Sequence, residues 1–170
     1  MKLWHQSLIP YLDNKRLLGQ HRECCALRGK GLGKKHSTVE YVFKHPYSWL
    51  YVYHTAIMDE MLHRKYNVTS SWYSFNYRGK NCKLLEEANL MKCLSNEEST
   101  DIEHVYPEHN DAYLKECLLN PQSKGAELIN GTCISEQLLK LAIEGRAWST
   151  KPIQFRYGFL MMTLLSQHRC

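Results

Sequence analysis

Residues 15–28 read Lys-Arg-Leu-Leu-Gly-Gln-His-Arg-Glu-Cys-Cys-Ala-Leu-Arg. The stretch lacks proline and holds three Leu and three Arg, which lose little rotamer freedom in a helix. Asp13 or Asn14 can cap its start, because a short polar side chain accepts from the orphan first-turn N–H groups. Gly29-Lys30-Gly31-Leu32-Gly33 stops it. Leu17, Leu18, Cys25 and Leu27 suit its buried side. Arg22 and Glu23 diverge by about 100° around such a helix. Gly19, one turn before Glu23, leaves open space on the same face.

Outward from this helix, residues 1–11 read as an extended arm leading into it. Ser37 or Thr38 starts another helical stretch, which His45-Pro46 interrupts because proline lacks an N–H and clashes with the preceding turn. Residues 46–65 are the clearest helix, with Leu50, Tyr53, Ile57 and Met61 recurring at steps of three or four. Further helices are predicted over 84–94, from His109 or Asn110 to Leu119, over 135–146, and from Pro152 to Gln167. No strand pattern and no internal repeat occurs. The expected class is all-α: a compact single-domain helical bundle over 1–170, with the extended N-terminal arm.

Composition fits that reading. In 170 residues, 44% are hydrophobic and 23% charged, which is globular rather than disordered composition. Twenty-two Lys and Arg oppose 17 Asp and Glu, but the excess is local. The first 35 residues hold eight basic side chains (Lys2, Lys15, Arg16, Arg22, Arg28, Lys30, Lys34, Lys35) against Asp13 and Glu23. The rest of the chain nearly balances. An N-terminal basic footprint suits an anionic partner such as nucleic acid. A carboxylate retained in it works against phosphate binding, so Glu23 asks for another reason.

Seven cysteines with no Cys-x-x-Cys pair, no signal-peptide pattern and no apolar run near 20 residues point to free thiols in a reducing cytoplasm, with no membrane span. His104, His109, Cys82, Cys93, Cys117 and Cys133 lack the spacing of a structural zinc site, so no metal and no cofactor is expected. His54 reads as a satisfied core histidine. Trp72, Tyr73, Phe75 and Tyr77 read first as a lid over the 46–65 helix and second as a base-stacking surface.

The N-terminal residues 1–23, with Leu17-Leu18, Gly19, Gln20-His21 and Arg22-Glu23 at that distance from the start, resemble the pyrimidine-dimer DNA glycosylase family of UV-damage endonucleases. Shorter elements follow in the family's order: Gly33-Lys34-Lys35-His36, Arg64-Lys65-Tyr66-Asn67, Tyr77-Arg78-Gly79, Tyr106-Pro107-Glu108-His109, and Lys151-Pro152 with Phe155-Arg156-Tyr157. Insertions are expected near 81–105 and 120–146. The resemblance implies a base-excision glycosylase with abasic-site lyase activity, acting as a monomer on damaged double-stranded DNA through a Schiff base. A primary amine attacks C1′, and Glu23 stabilises the developing positive charge and moves protons. Arg16, Arg22, Lys34, Lys35 and His36 would hold the DNA. The amine is that of Met1 or of Lys2: the bulk of Lys2 opposes removal of Met1, and an α-amine, with a pKa near 8 against about 10.4 for lysine, is the more often neutral. Leu3 stands where the family's phage member has arginine, and Gln154 where it has tryptophan. Two other readings compete: a DNA-binding protein of the same fold without the chemistry, and a metal-dependent nuclease using His104, Glu108 and His109.

Overall fold

The computed structural model describes residues 3–29, 37–85 and 105–122. Among them there are three α-helices and three short 3₁₀ turns, and no strand. The all-α expectation is therefore met over these residues. Helix α1 spans Asn14–Arg28, α2 spans Tyr47–His63 and α3 spans Asp111–Gln122. No described helix is long and apolar enough to cross a membrane. The predicted helices over 135–146 and 152–167 lie outside the described residues, as does most of both expected insertions. Of the predicted 84–94 helix, Leu84 and Leu85 are non-helical and the rest is outside.

Helix α1 begins where Asp13, rather than Asn14, caps it: the Asp13 carboxylate accepts from the Arg16 N–H at 2.7 Å. Its inner stripe is Leu17, Gln20, Cys24 and Leu27 with Arg28. The sequence reading placed Cys25 inward; Cys24 is the buried one and Cys25 lies half-buried. The stripe Leu17–Gln20–Cys24–Leu27 advances by three and four residues, and Cys25 falls about 100° away from Cys24 around the helix. Gly29 ends α1 at a close approach: an added Cβ would sit 3.2 Å from the Arg78 carbonyl oxygen. Arg78 itself donates to the Arg28 carbonyl at 3.0 Å and the Gly29 carbonyl at 2.6 Å. A cation at the helix C-terminus thus satisfies orphan carbonyls and opposes the negative pole.

Helix α2 packs along α1 and buries Leu50, Tyr53, His54, Ile57, Met58 and Met61, the three-and-four spacing that marked it in the sequence. It closes in a Schellman motif. Lys65 takes the left-handed conformation (φ 67°), its N–H donates to the Leu62 carbonyl and the Tyr66 N–H to that of Met61. Asn110 starts α3 as predicted, with its side chain accepting from the Tyr113 N–H at 3.1 Å. Leu114, Cys117 and Leu118 carry the α3 face into the common core.

The extended arm is corrected in part. Of its described residues only 3–5 are non-helical; Gln6–Tyr11 form a 3₁₀ turn. Leu3, Leu8 and Leu12 are fully buried, which explains the departure: three leucines at this end complete the core instead of projecting from it. Arg64 of the α2 terminus donates to the Leu12 carbonyl at 2.6 Å and the Pro10 carbonyl at 2.9 Å, while Glu60 accepts from its Nε at 2.7 Å. The Tyr113 hydroxyl donates to the Leu3 carbonyl, and the Val105 N–H donates to the Gln6 side chain at 2.6 Å. The segment is anchored from α2 and from the α3 region together.

Candidate functional site

Glu23 lies half-buried near the middle of α1, at the edge of the buried stripe. Gln20, one turn earlier and almost fully buried, donates from Nε2 to Glu23 Oε2 at 2.7 Å. The opposite end of the same amide accepts from the Trp4 N–H at 3.0 Å. The fully buried Tyr53 of α2 places its hydroxyl 2.9 Å from Gln20 Oε1 and 2.7 Å from the Trp4 carbonyl. Burial pushes the Tyr53 phenol well above its ordinary value, so it remains an O–H donor. Arm, α1 and α2 thus meet at one amide next to the carboxylate.

A Cβ at Gly19 would meet nothing within 4 Å, so the surface beside Glu23 is open on that side. Arg16, two turns before Glu23 and about 10 Å along the axis, pairs with Asp13 and stands over the Trp4 ring at 5.8 Å. Arg22 is exposed. Arg16, Arg22 and Glu23 therefore share one helix, with both cations preceding the acid in sequence. Met1, Lys2, Lys34, Lys35 and His36 lie outside the described residues. Sequence reading missed Gln20, Tyr53 and Trp4. The signal for Gln20 was its position three residues before Glu23 on a helix; for Tyr53, a hydroxyl on an apolar face, which needs a partner when buried.

A second polar centre lies across α1. Arg28 is 1% exposed, and its guanidinium places all five N–H donors. Nε donates to the Tyr47 hydroxyl at 3.0 Å. Nη1 donates to the Trp72 carbonyl at 2.7 Å and His54 Nδ1 at 3.1 Å. Nη2 donates to the carbonyls of Ser74 at 2.8 Å and Tyr77 at 2.9 Å. The rings of Tyr51 and Trp72 flank it at 5.2 and 5.3 Å. The 70–77 segment is thereby held across α1 and α2, with Phe75 buried against Tyr47 and Tyr51.

Arginine can only donate, so His54 Nδ1 is an acceptor and its proton sits on Nε2. That proton goes to His21 Nδ1 at 2.9 Å, leaving the His21 Nε2–H facing the Cys25 sulfur at 3.7 Å. His21, Cys25 and His54 converge closely enough to be considered as metal ligands. An ion on His54 Nε2 would force the proton onto Nδ1, against the Arg28 N–H. Ligating histidines ordinarily donate from the other ring nitrogen to an acceptor; here that nitrogen faces a donor. The cluster is therefore a directed hydrogen-bond chain. Burial pushes the Cys25 thiol up to about 11, so it is protonated at neutral pH.

The same burial, with Arg28 and His21 nearby, holds His54 well below the usual histidine range. Burial and the Arg22 and Arg28 charges lower His21 as well. A histidine depressed in the folded state is protonated first in the unfolded chain. Stability is then present in full above a pH of about 6.5 and falls as pH drops below it, with a slope from His54 of up to about 1.4 kcal/mol per pH unit. Denaturant unfolding between pH 7.5 and 5 should show this loss, and the slope should shrink in His54→Gln.

The residues of the nuclease reading turn to separate partners. Both Glu108 oxygens lie 2.9 Å from His45 Nε2, whose ring stacks on Trp49. His109 is fully buried with Nε2 2.9 Å from the Tyr41 hydroxyl. His104 is outside the described residues.

A model of the pyrimidine dimer DNA glycosylase family matches residues 1–74. No curated protein and no solved structure matches the chain. The matched segment holds the arm, α1 with Glu23, and α2 with Tyr53, while Tyr77-Arg78-Gly79 and Tyr106-Pro107-Glu108-His109 lie beyond it. The resemblance read from the N-terminal motif is thus found independently: over residues 1–74, this chain is similar to the pyrimidine dimer DNA glycosylase family.

Proposed function

We propose that the protein excises damaged bases, with pyrimidine dimers as the lesion the family description indicates, and then nicks the strand at the resulting abasic site, acting as a monomer on duplex DNA. The observation that carries this reading is the docking of the arm at Trp4 onto the helical turn that bears Glu23. Residues 1–3, fully extended, reach about 10 Å. An amine on Met1, or on the longer side chain of Lys2, can therefore be delivered to a sugar lying over Gly19 and Glu23.

In this reaction the neutral amine forms a bond to C1′ and the C1′–N glycosidic bond breaks, the base leaving with the electron pair. Loss of the amine proton and ring opening give an imine. Glu23 stabilises the positive charge at C1′ and then takes the C2′ proton, and the C3′–O bond breaks by β-elimination. Arg16 and Arg22, with Lys34, Lys35 and His36, contact phosphates, which gives sequence-blind and salt-sensitive affinity. The amine must reach a sugar within a duplex, so the lesion has to be kinked or flipped toward α1.

Borohydride reduction during incubation with abasic or UV-irradiated duplex should capture one covalent protein–DNA adduct, with mass spectrometry placing it on Met1 or Lys2. Nicking should persist in chelator. Binding without an adduct would favour the DNA-binding protein lacking the chemistry, and nicking abolished by chelator would favour the metal nuclease.

A further inference from the structure

Gln20 occupies a core position on α1, between Leu17 and Cys24, where a leucine or methionine would pack without the cost of burying an amide. Its orientation is unambiguous. The Trp4 N–H can only donate, so the atom facing it is Oε1, and Nε2 must be the atom at Glu23. Tyr53 adds a buried hydroxyl that reaches both the same Oε1 and the carbonyl of Trp4. The Trp4 N–H is thereby fixed on the same amide that fixes one oxygen of the carboxylate, and the Trp4 carbonyl is fixed on the Tyr53 hydroxyl.

We propose that Gln20 and Tyr53 are positioning residues, which hold the amine-bearing arm and Glu23 in one register. The proposal rests on the excision reading above. A reaction between a terminal amine and a sugar suffers from the freedom of the chain end. Orientation of reacting groups is worth orders of magnitude, and a shift near 1 Å can cost about 100-fold. The short path from Trp4 to Glu23 runs through the buried amide of Gln20, hydrogen-bonded at both ends, so a displacement of either end is transmitted to the other. Neither side chain touches the substrate in this scheme.

The test uses the full chain on duplex DNA carrying one abasic site, with enzyme in excess. Gln20→Met keeps volume and removes both polar ends. It is expected to slow nicking by about 10- to 100-fold while DNA affinity stays within about threefold. Tyr53→Phe removes one hydroxyl and is expected to slow nicking by about 3- to 10-fold. A purely structural role is separated by combining changes: in a Glu23→Gln background, Gln20→Met should slow the residual rate by less than about threefold, because residues acting as a unit are not additive. Multiplicative losses, or equal losses in affinity and rate, would overturn the proposal. So would full activity in Tyr53→Phe and Gln20→Met together. Should Gln20→Met fail to fold, Tyr53→Phe and its combination with Glu23→Gln decide by the same criteria. If Glu23→Gln is itself as active as the unaltered protein, the excision reading fails; if Glu23→Gln is slow and both positioning variants are fast, only this proposal fails.

Discussion

Replacing Glu23 by glutamine is expected to lower the rate of abasic-site nicking by about 100- to 1,000-fold while leaving DNA affinity unchanged or slightly improved. The substitution keeps the volume and an acceptor for the Gln20 N–H, so the packing around α1 persists. On the proposed excision mechanism it removes the negative charge that faces the developing cation, and it removes the base for the C2′ proton. Affinity should not fall, because a carboxylate among Arg16 and Arg22 repels phosphate rather than binding it. Single-turnover nicking and a filter-binding titration at two salt concentrations separate the effects. A variant that loses affinity and rate equally would assign Glu23 to binding or folding.

Arg28 carries the second large effect, on stability. Arg28→Met would leave the carbonyls of Trp72, Ser74 and Tyr77, His54 Nδ1 and the Tyr47 hydroxyl without their donor. Each buried group left unpaired costs about 1–3 kcal/mol, although local rearrangement keeps the sum well below simple addition. A loss of about 4 kcal/mol or more is expected, which for a chain of this size lowers Tm by roughly 10 °C. Arg28→Lys should recover little of it. An ammonium has three donors at one point, whereas the acceptors here are spread around a planar fork. Thermal unfolding followed by circular dichroism measures both, and near-native stability in Arg28→Lys would show that charge rather than geometry holds the 70–77 segment.

These two residues also show how legible the chain was. Glu23 stood out because a carboxylate in a cationic stretch has no electrostatic reason to be there, and because its spacing from Gly19 and Arg22 matches a family motif. Arg28 looked like one more member of the basic footprint. Nothing in its local sequence distinguishes an exposed arginine from one that is 1% exposed, because its acceptors come from residues 47–77. Helices α1 and α2 were readable because their apolar periodicity and end signals are local. Cys24 against Cys25 was not, since adjacent residues of equal chemistry compete for one inward position. The arm was misread for a related reason: Leu3, Leu8 and Leu12 form no repeating pattern, and their burial depends on Arg64, Tyr113 and Val105 far along the chain.

The bonds that tie Arg78 to the end of α1 bear on where the protein can be divided. The family match stops at residue 74, yet the carbonyls of Arg28 and Gly29 are satisfied by Arg78, and Arg28 in turn needs the carbonyl of Tyr77. Leu3 and Gln6 are held from Tyr113 and Val105. The stretch that is similar in sequence is therefore smaller than the stretch that folds. A fragment cut at residue 74 keeps every residue of the N-terminal motif and loses Arg78, which closes the C-terminal end of its first helix, and Val105 and Tyr113, which hold its arm. The hydrogen bonds that close the N-terminal fold therefore reach as far as α3, past the end of the family match.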